Sequence, residues 1–500
     1  MTRAFSFLIS AALLASLATG LSAAVVRAAD SPPKEEEKEK TIEERREEER
    51  KRGEKLRERL TDAGKHWRDI KADHRRDLAK KPRAVRVRVA RTAKRADGFE
   101  RRALARFHAR LAAFARGPKR GRRFVILQLG DSHSAADHLS GYLREKFQRR
   151  FGDAGRGMLA PGKPFRYYSP YRAQVKQSEG WAVDSSRRLA DLGPFGIAGY
   201  SITGLEPEDT IKLDMRGLQS FDSVEVEYLA GPKGGKFVVE VDGFILDEIN
   251  TKARRTEPRR FVRRVKADAR QLAIRPSGDG QVRLLSWSVY RSKGGVAFIN
   301  HGVAGETIKI LGRWDPRIAR WQIDNLDPAL ILVAFGTNEG FEHKLRLDDY
   351  ARDFEERLTE LRRLAPRATI VIVGAPDAAR LPSWCGRGRA RRERFKCYRL
   401  SKKKADNYAR LIDKRSRSLC HWHSPPTLSK VRAVQKRIAR RLGLYYWDWS
   451  KVMGGHCGMD KWARKDEALA YADRVHMTYR GYDISGQALY EELMRHYKGR

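Results

Sequence analysis

The feature that most constrains the fold of this chain is a series of short apolar segments separated by stretches with helical periodicity. Five apolar segments are typical of buried strands: 124–129, 296–300, 329–335, 368–373 and 444–449. Helical patterns precede, separate or follow them: 98–116, 347–364, 425–442 and 483–497. Apolar strands that alternate with helices indicate a parallel sheet covered on both faces. The sequence therefore predicts a three-layer α/β/α fold, in which functional groups gather at the carboxyl ends of the strands.

This alternation is interrupted between residues 155 and 292. Short segments with alternating polarity lie there, at 223–228, 235–241 and 281–288. Turn pairs such as Asp242-Gly243 separate them and are hairpin signals. We predict an inserted β-sandwich at 155–292, which divides the α/β domain into 98–154 and 293–500.

The first 97 residues predict export followed by a stalk. Residues 1–29 have the features of a signal peptide, with Arg3, an apolar run at 5–17 and small residues at 22–24. An uncleaved anchor is the alternative, but the apolar run is short for a bilayer span and no later segment reaches spanning length. Residues 30–97 are dominated by Glu, Lys and Arg, which favours a charged helical or disordered stalk. We expect a secreted or periplasmic protein of a bacterial envelope.

The formal net charge of +41 bears on partners. Such a charge attracts anions over long range, so the candidate classes are acidic envelope polymers, anionic lipid surfaces and nucleic acid. A solvated basic surface without a partner is the alternative. Because the chain begins with an export signal and has no recognisable nucleic-acid-binding motif, we expect an envelope polymer and no nucleic acid.

The cysteine count agrees with an oxidising compartment, since it is even. The cysteines all lie in the last quarter of the chain: Cys385, Cys397, Cys420 and Cys457. The sequence leaves three pairings open, of which we favour Cys385 with Cys397 and Cys420 with Cys457. Zinc is the alternative because three histidines flank two of these cysteines, but no close pair has zinc-finger spacing. These histidines are His421, His423 and His456.

Four short motifs carry the candidate chemistry, and three of them directly follow predicted strands. They are residues 130–134 (GDSHS), 302–307 (GVAGET), 336–339 (GTNE) and 473–476 (DRVH). A serine hydroxyl needs a base that takes its proton, and the base needs a carboxylate that orients it. Ser132 is the candidate nucleophile, with His476 as base and Asp473 as the orienting carboxylate. The Ser132 and Gly305 amides and the Asn338 side chain can supply an oxyanion hole.

These four motifs, in this order, resemble the four blocks of SGNH (GDSL-like) hydrolases. The resemblance implies a flavodoxin-like α/β/α fold, a triad of Ser132, Asp473 and His476, and an oxyanion hole of Ser132, Gly305 and Asn338. Gly302 competes with Gly305 for the second block, and the Ala-Gly-Glu-Thr match favours Gly305.

Most of residues 100–495 more closely resemble bacterial peptidoglycan O-acetylesterases. This resemblance rests on the GDSH motif, on AADHL at 135–139 and on FGDAGRG at 151–157. That group carries a carbohydrate-binding-like β module after the first catalytic block. The resemblance implies hydrolysis of O-acetyl esters on a cell-envelope polysaccharide, peptidoglycan above all, through an acetyl-serine intermediate and without a metal or organic cofactor. The basic N-terminal stretch and the cysteines depart from the group.

Several other residues near the motifs are candidates for support or for substrate contact. Asp131 is expected to fix the turn around Ser132, and His133 to be structural or to line the rim. Glu339 lines the pocket or caps the next helix. Trp384 and Trp422, in polar loops beside cysteines, are candidates for stacking against a sugar.

Two alternative functions remain open on the sequence. A polysaccharide O-acetyltransferase would share the acyl-enzyme half of the reaction, with a sugar hydroxyl in place of water. A non-catalytic envelope-binding protein would use the basic N-terminus and the β module instead.

Overall fold

The computed structural model describes residues 98–191, 193–386 and 395–499. The predicted signal peptide at 1–29 and the predicted stalk at 30–97 lie outside the described residues. Within the described part of the chain, no helix is both long enough and apolar enough to cross a membrane.

A parallel sheet of five strands forms the centre of the α/β part. In order across the sheet, its strands are β13 (Gly295–Gly302), β1 (Arg123–Gly130), β14 (Leu330–Ala334), β15 (Thr369–Val373) and β16 (Tyr445–Trp447). Alternate residues of β1 enter different apolar clusters: Val125 and Leu127 pack on one face, Phe124 and Ile126 on the other. Burial of both faces explains why these segments are continuously apolar. The prediction of an α/β fold with a parallel sheet is confirmed.

Helices contribute to both of these clusters. On one side are α1 (Gly98–Arg116), α3 (His138–Phe151) and α11 (Tyr479–Met494), and on the other are α4 (Pro316–Leu326), α6 (Leu347–Leu364) and α9 (Pro426–Arg441). Shorter helices are α2 (Ser132–Ala135), α5 (Thr337–Phe341), α7 (Lys402–Asp406), α8 (Tyr408–Asp413) and α10 (Gly458–Ala463). Turns of 3-10 helix lie at Ile308–Arg313, Ser383–Cys385, Arg417–Leu419 and Trp449–Met453.

Two antiparallel sheets lie in the chain between β1 and β13, which are hydrogen-bonded neighbours in the parallel sheet. One contains β10 (Glu257–Ala269), β7 (Phe221–Ala230), β12 (Val282–Tyr290), β5 (Tyr200–Gly204) and β4 (Ala182–Ser185), with β2 (Gly157–Leu159) paired to β12. The other contains β3 (Ala173–Gln177), β6 (Ile211–Met215), β11 (Gln271–Pro276), β8 (Lys236–Val241) and β9 (Phe244–Asn250). Trp287 of the first sheet and Phe237 of the second belong to one buried cluster. The antiparallel β insertion is thus present, and its bounds as a separate domain stay a prediction.

The favoured cysteine pairing is wrong. The disulfides join Cys385 to Cys420 and Cys397 to Cys457. The predicted pairing joined cysteines that are close in sequence. It fails because the backbone of Cys397 forms a β-bridge with Trp422 and its amide donates to Asp460 Oδ2 at 3.1 Å. These contacts hold Cys397 beside the segment that carries Cys457. Among the residues that the structure describes, no group of three or more His, Cys, Asp or Glu side chains is placed to hold a metal ion.

Candidate active site

Ser132 stands at the carboxyl end of β1, where the strand turns into α2. A side chain at Gly130 would meet Ser134 Oγ at 2.2 Å and the Ala334 carbonyl oxygen at 2.6 Å, so the turn requires glycine there. Asp131 caps α2, because its Oδ1 accepts a hydrogen bond from the His133 amide at 3.0 Å. This confirms that Asp131 fixes the turn, and Ser132 becomes the first residue of the helix.

His476 joins Ser132 and Asp473 in one hydrogen-bonded chain. Its Nε2 lies 3.0 Å from Ser132 Oγ, and its Nδ1 lies 2.7 Å from Asp473 Oδ2. The second carboxylate oxygen of Asp473 accepts hydrogen bonds from the backbone amides of Val475 at 2.9 Å and His476 at 3.0 Å. The three residues predicted as a triad, up to 344 positions apart in the chain, therefore meet with the geometry that a serine nucleophile requires.

The electrostatics of the pair keep the carboxylate charged and make the imidazole more basic. Burial alone would raise the pKa of Asp473, but His476 and the backbone amides outweigh it and lower that pKa to about 2. Burial would lower the pKa of His476, but the Asp473 charge outweighs it and raises that pKa above 6.5. His476 is thereby a stronger proton acceptor than a free histidine.

A layer of buried groups supports the triad from behind. His133 is buried, its Nδ1 lies 2.9 Å from the Tyr482 hydroxyl, and its ring centroid lies 5.3 Å from that of His476. Burial lowers the pKa of His133 to about 3, so this ring stays neutral beside His476. Of the two roles predicted for His133, the structure favours the structural one over the rim. Burial also raises the pKa of the Asp131 carboxyl to about 6.

The loop 473–476 is held by contacts that reach the second disulfide. Arg474 adopts a left-handed conformation, with φ of +56°, and its Nε donates to Asp460 Oδ1 at 3.3 Å. Asp460 Oδ2 in turn accepts from the amide of Cys397, which is bonded to Cys457. The disulfide, Asp460 and Arg474 thus form a continuous support for the segment that carries Asp473 and His476.

The glycine and asparagine motifs adjoin the serine turn. The Val303 amide donates to the Gly130 carbonyl oxygen at 2.9 Å, and the Asp131 amide to the Ala334 carbonyl oxygen at 3.2 Å. Gly305 has a φ of +81°, and Asn338 Nδ2 donates to the Glu306 carbonyl oxygen at 2.7 Å, which joins the two motifs. Gly302 also leaves no room for a side chain, because one there would meet the Ala135 amide nitrogen at 2.1 Å.

Arg187, from the antiparallel insertion, lies beside Gly305 and is a candidate site residue that the sequence did not reveal. A side chain at Gly305 would lie 3.1 Å from Arg187 Nη2, and Arg187 Nε lies 3.4 Å from Glu306 Oε1. The Arg187 side chain is 59% exposed, so its guanidinium is available to solvent beside Gly305. Its residue type carries no signal in a chain with 104 Lys and Arg residues.

Two of the predicted substrate contacts, Glu339 and Trp422, require correction, and Trp384 stays a prediction. Glu339 is 3% exposed and its Oε1 accepts from the Ile308 amide at 3.0 Å, so it ties a 3-10 helix to α5 instead of lining a pocket. Trp422 is 5% exposed because the Arg474 guanidinium lies 4.8 Å from its ring centroid. Its ring supports the catalytic loop and presents no face to a sugar. Trp384 is half-buried and donates through Nε1 to the Ser416 carbonyl oxygen at 3.3 Å.

Comparison with known proteins identifies the family of the catalytic part. Residues 275–484 match the model of the GDSL-like lipase/acylhydrolase family. The matched segment includes Gly305, Asn338, Asp473 and His476, whereas Ser132 precedes it because the insertion separates the serine motif from the others. No curated protein sequence matches the chain.

Solved structures include similar chains. A peptidoglycan O-acetylesterase is 21% identical over 78% of this chain and 95% of its own, with a TM-score of 0.61, which shows a shared fold. A family two carbohydrate esterase from Clostridium thermocellum, in complex with cellohexaose, is 12% identical over 63% of this chain and 98% of its own, with a TM-score of 0.27. A salicylyl-acyltransferase from a tetracycline biosynthetic pathway is 13% identical over 68% of this chain and 96% of its own, with a TM-score of 0.29.

The family match and the hydrogen-bonded Ser132, His476 and Asp473 point to the same chemistry. Residues 275–484 carry a GDSL-like lipase/acylhydrolase domain, and the chain is a serine ester hydrolase.

Proposed function

We propose that this enzyme is an extracytoplasmic O-acetylesterase that removes acetyl groups from a cell-envelope polysaccharide, with peptidoglycan as the favoured substrate. The observation that carries the catalytic part is the 3.0 Å contact between His476 Nε2 and Ser132 Oγ, with Asp473 on the other side of the ring. The substrate part rests on the sequence resemblance to peptidoglycan O-acetylesterases and on the fold shared with one of them.

Acylation of the enzyme begins with proton transfer from Ser132 Oγ to His476 Nε2 as Oγ bonds to the acetyl carbonyl carbon. Asp473 keeps Nδ1 as the donor to its carboxylate, so that Nε2 is the free acceptor at the start. The tetrahedral intermediate then loses the sugar oxygen, which takes the proton from His476 and leaves as a hydroxyl. The acetyl group remains on Ser132 as an ester.

Hydrolysis of that ester repeats the sequence with water. His476 takes one proton from water as the water oxygen bonds to the acetyl carbon. That proton passes to Ser132 Oγ as the ester bond breaks, and acetic acid departs and ionises to acetate. In both halves the negative oxygen is stabilised by the amides of Ser132 and Gly305 and by the Asn338 side chain. The overall reaction consumes one water and produces acetate and a sugar hydroxyl.

Two further features support the substrate and the compartment. Arg187 presents a guanidinium beside Gly305, where it can attract a negatively charged glycan over long range. The two disulfides favour an oxidising compartment, in agreement with the export signal predicted at 1–29.

Acetate release from three substrates tests the proposal: O-acetylated peptidoglycan, acetylated xylan and a small aryl acetate. We expect kcat/KM to be highest for O-acetylated peptidoglycan. Equal values on all three would remove the peptidoglycan assignment and leave a general esterase. Adding a non-acetylated glycan distinguishes hydrolysis from transfer, because an acetyltransferase would move the acetyl group to that glycan instead of releasing acetate.

The pH dependence of kcat/KM should follow the protonation of His476. Only the neutral ring accepts a proton from Ser132, so activity is lost as pH falls through the pKa of His476, which lies above 6.5. We expect kcat/KM on the aryl acetate to rise with pH through that value and then to level off. In Asp473→Asn the midpoint should move to lower pH, and the plateau should fall by about 10⁴-fold. A profile that is highest on the acid side would contradict this role.

Asn338→Ala should lower kcat by about 10² to 10³-fold, with little change in KM, because the amide stabilises charge that exists only in the transition state. Steady-state kinetics on the aryl acetate measures this effect. Asn407→Ala is the matched control, since that amide donates to the Lys403 carbonyl oxygen on an exposed helix. An increase in KM at unchanged kcat would place Asn338 in substrate binding instead.

A further inference from the structure

A buried cluster of charges lies where the antiparallel insertion meets the parallel sheet. Asp137, Arg144 and Arg156 are each at most 4% exposed. Asp137 Oδ1 lies 3.0 Å from Arg144 Nη2, and its Oδ2 lies 2.6 Å from Arg156 Nη2. One carboxylate thus faces two guanidinium groups. His301, also buried, adds no negative charge, so the cluster carries one uncompensated positive charge.

Asp137 has no capacity left to accept further hydrogen bonds from either arginine. Its two oxygens accept from five donors, and a carboxylate offers about four lone-pair sites. The donors are Ser140 Oγ (2.5 Å), Arg156 Nη2 (2.6 Å), the Tyr171 amide (2.8 Å), Arg144 Nη2 (3.0 Å) and Asn300 Nδ2 (3.1 Å). The remaining N–H groups of Arg156 therefore need another acceptor.

Among the residues that the structure describes, no protein atom provides one. Arg156 Nε and Nη1 and His301 Nε2 are buried without a hydrogen-bond partner. A buried guanidinium without a counter-charge is costly, because it has lost its hydration and gained no anion in exchange. Burial and the neighbouring Arg144 lower the pKa of Arg156 to about 10, which still leaves it protonated near neutral pH.

The same residues line a cavity next to the catalytic turn. Its walls include Arg156, His301, Tyr168 and Tyr200, together with Ala135 of α2 and Gly302 of β13. Its accessible volume is about 10 Å³, which is room for roughly one water-sized group. Asn300, beside His301, donates to the Ser134 carbonyl oxygen at 2.7 Å, which links the cluster to the turn that holds Ser132.

We propose that this cavity binds a small monovalent anion, a halide or a carboxylate, which pairs with the Arg156 guanidinium. A water molecule would satisfy an N–H group but would leave the positive charge uncompensated, whereas an anion does both. The site lies outside the triad, and it does not depend on the proposed substrate. Through Asn300 the bound anion would stabilise the catalytic turn.

Thermal unfolding of the wild-type protein in different sodium salts at equal ionic strength tests the proposal. We expect chloride, bromide or acetate to raise Tm in a saturable manner relative to a bulky sulfonate. At 100 times Kd the ratio of folded to unfolded protein should rise about 100-fold. A response to chloride and bromide alone would identify a free halide, and a response to acetate a carboxylate such as the reaction product. Equal Tm values in all salts would overturn the proposal.

Crystals grown in bromide and an arginine variant make the test specific to this cavity. The anomalous signal of bromide should appear within hydrogen-bond distance of Arg156, and water alone at that place would contradict the proposal. Arg156→Gln should abolish the Tm response. Arg283→Gln should keep it, because that guanidinium pairs with Asp184 at 2.9 Å and does not line the cavity. If Arg156→Gln does not fold, the wild-type crystals decide alone.

Discussion

Replacing Ser132 with alanine is expected to lower kcat on an aryl acetate by about 10⁴ to 10⁶-fold. Among the residues that the structure describes, the Ser132 hydroxyl is the nucleophile that contacts His476 Nε2, at 3.0 Å. We therefore expect no other nucleophile to replace it. Steady-state kinetics measures the loss, and a fluorophosphonate probe measures it independently, because the probe labels only an activated serine.

Ser134 provides the matched control in the same turn. Its Oγ accepts from Gln128 Nε2 at 2.9 Å. Ser134→Ala should therefore keep fluorophosphonate labelling, whereas Ser132→Ala loses it. Labelling of Ser132→Ala at the wild-type rate would contradict the assignment of the nucleophile.

Removing the disulfide between Cys397 and Cys457 is expected to lower the free energy of unfolding by about 4 kcal/mol. The bond closes a chain segment with a sequence separation of 60. Without this bond the unfolded chain has more conformational entropy, which at 25 °C stabilises the unfolded state by about 4 kcal/mol. Denaturant unfolding of the Cys397→Ala/Cys457→Ala variant and of the wild type, both without reductant, measures the change. A loss below about 1 kcal/mol would contradict the chain-entropy account.

Removal of the other disulfide is the control that distinguishes an effect on stability from an effect on activity. Cys385 and Cys420 have a sequence separation of 35, so their removal should also cost about 4 kcal/mol. Of the four cysteines, Cys397 is the one whose amide donates to Asp460, which in turn accepts from Arg474 of the loop 473–476. We therefore expect kcat to fall in the Cys397/Cys457 variant at temperatures where both variants are folded. Equal kcat values in the two variants would exclude a role for this contact in positioning His476.

The parts of the fold that the sequence predicted are those in which burial determines residue type. The strands of the parallel sheet are apolar on both faces, and helix Leu347–Leu364 was predicted with the bounds that it has. The candidate catalytic residues were predictable for a related reason. A serine nucleophile, its base and its carboxylate have few chemical substitutes, so Ser132, Asp473 and His476 are visible as short motifs.

The parts of the structure that the sequence did not predict depend on contacts with residues far away in the chain. Strands β9 and β10 lie at the edges of their sheets and are largely exposed, so their residues show no apolar alternation. Trp422 looked like an exposed aromatic residue because nothing in its own segment indicates that Arg474 covers it. The disulfide pairing and the approach of Arg187 to Gly305 likewise follow from tertiary contacts alone.

Direct detection of the acyl-enzyme tests the central claim most directly. The wild-type enzyme is mixed with an O-acetylated glycan, quenched in acid during turnover, digested and analysed by mass spectrometry. The account predicts one acetyl group on the peptide that contains Ser132, located on Ser132 itself and absent from Ser132→Ala. Release of acetate at the wild-type rate with no acetyl group on Ser132, or with the acetyl group on another residue, would contradict it.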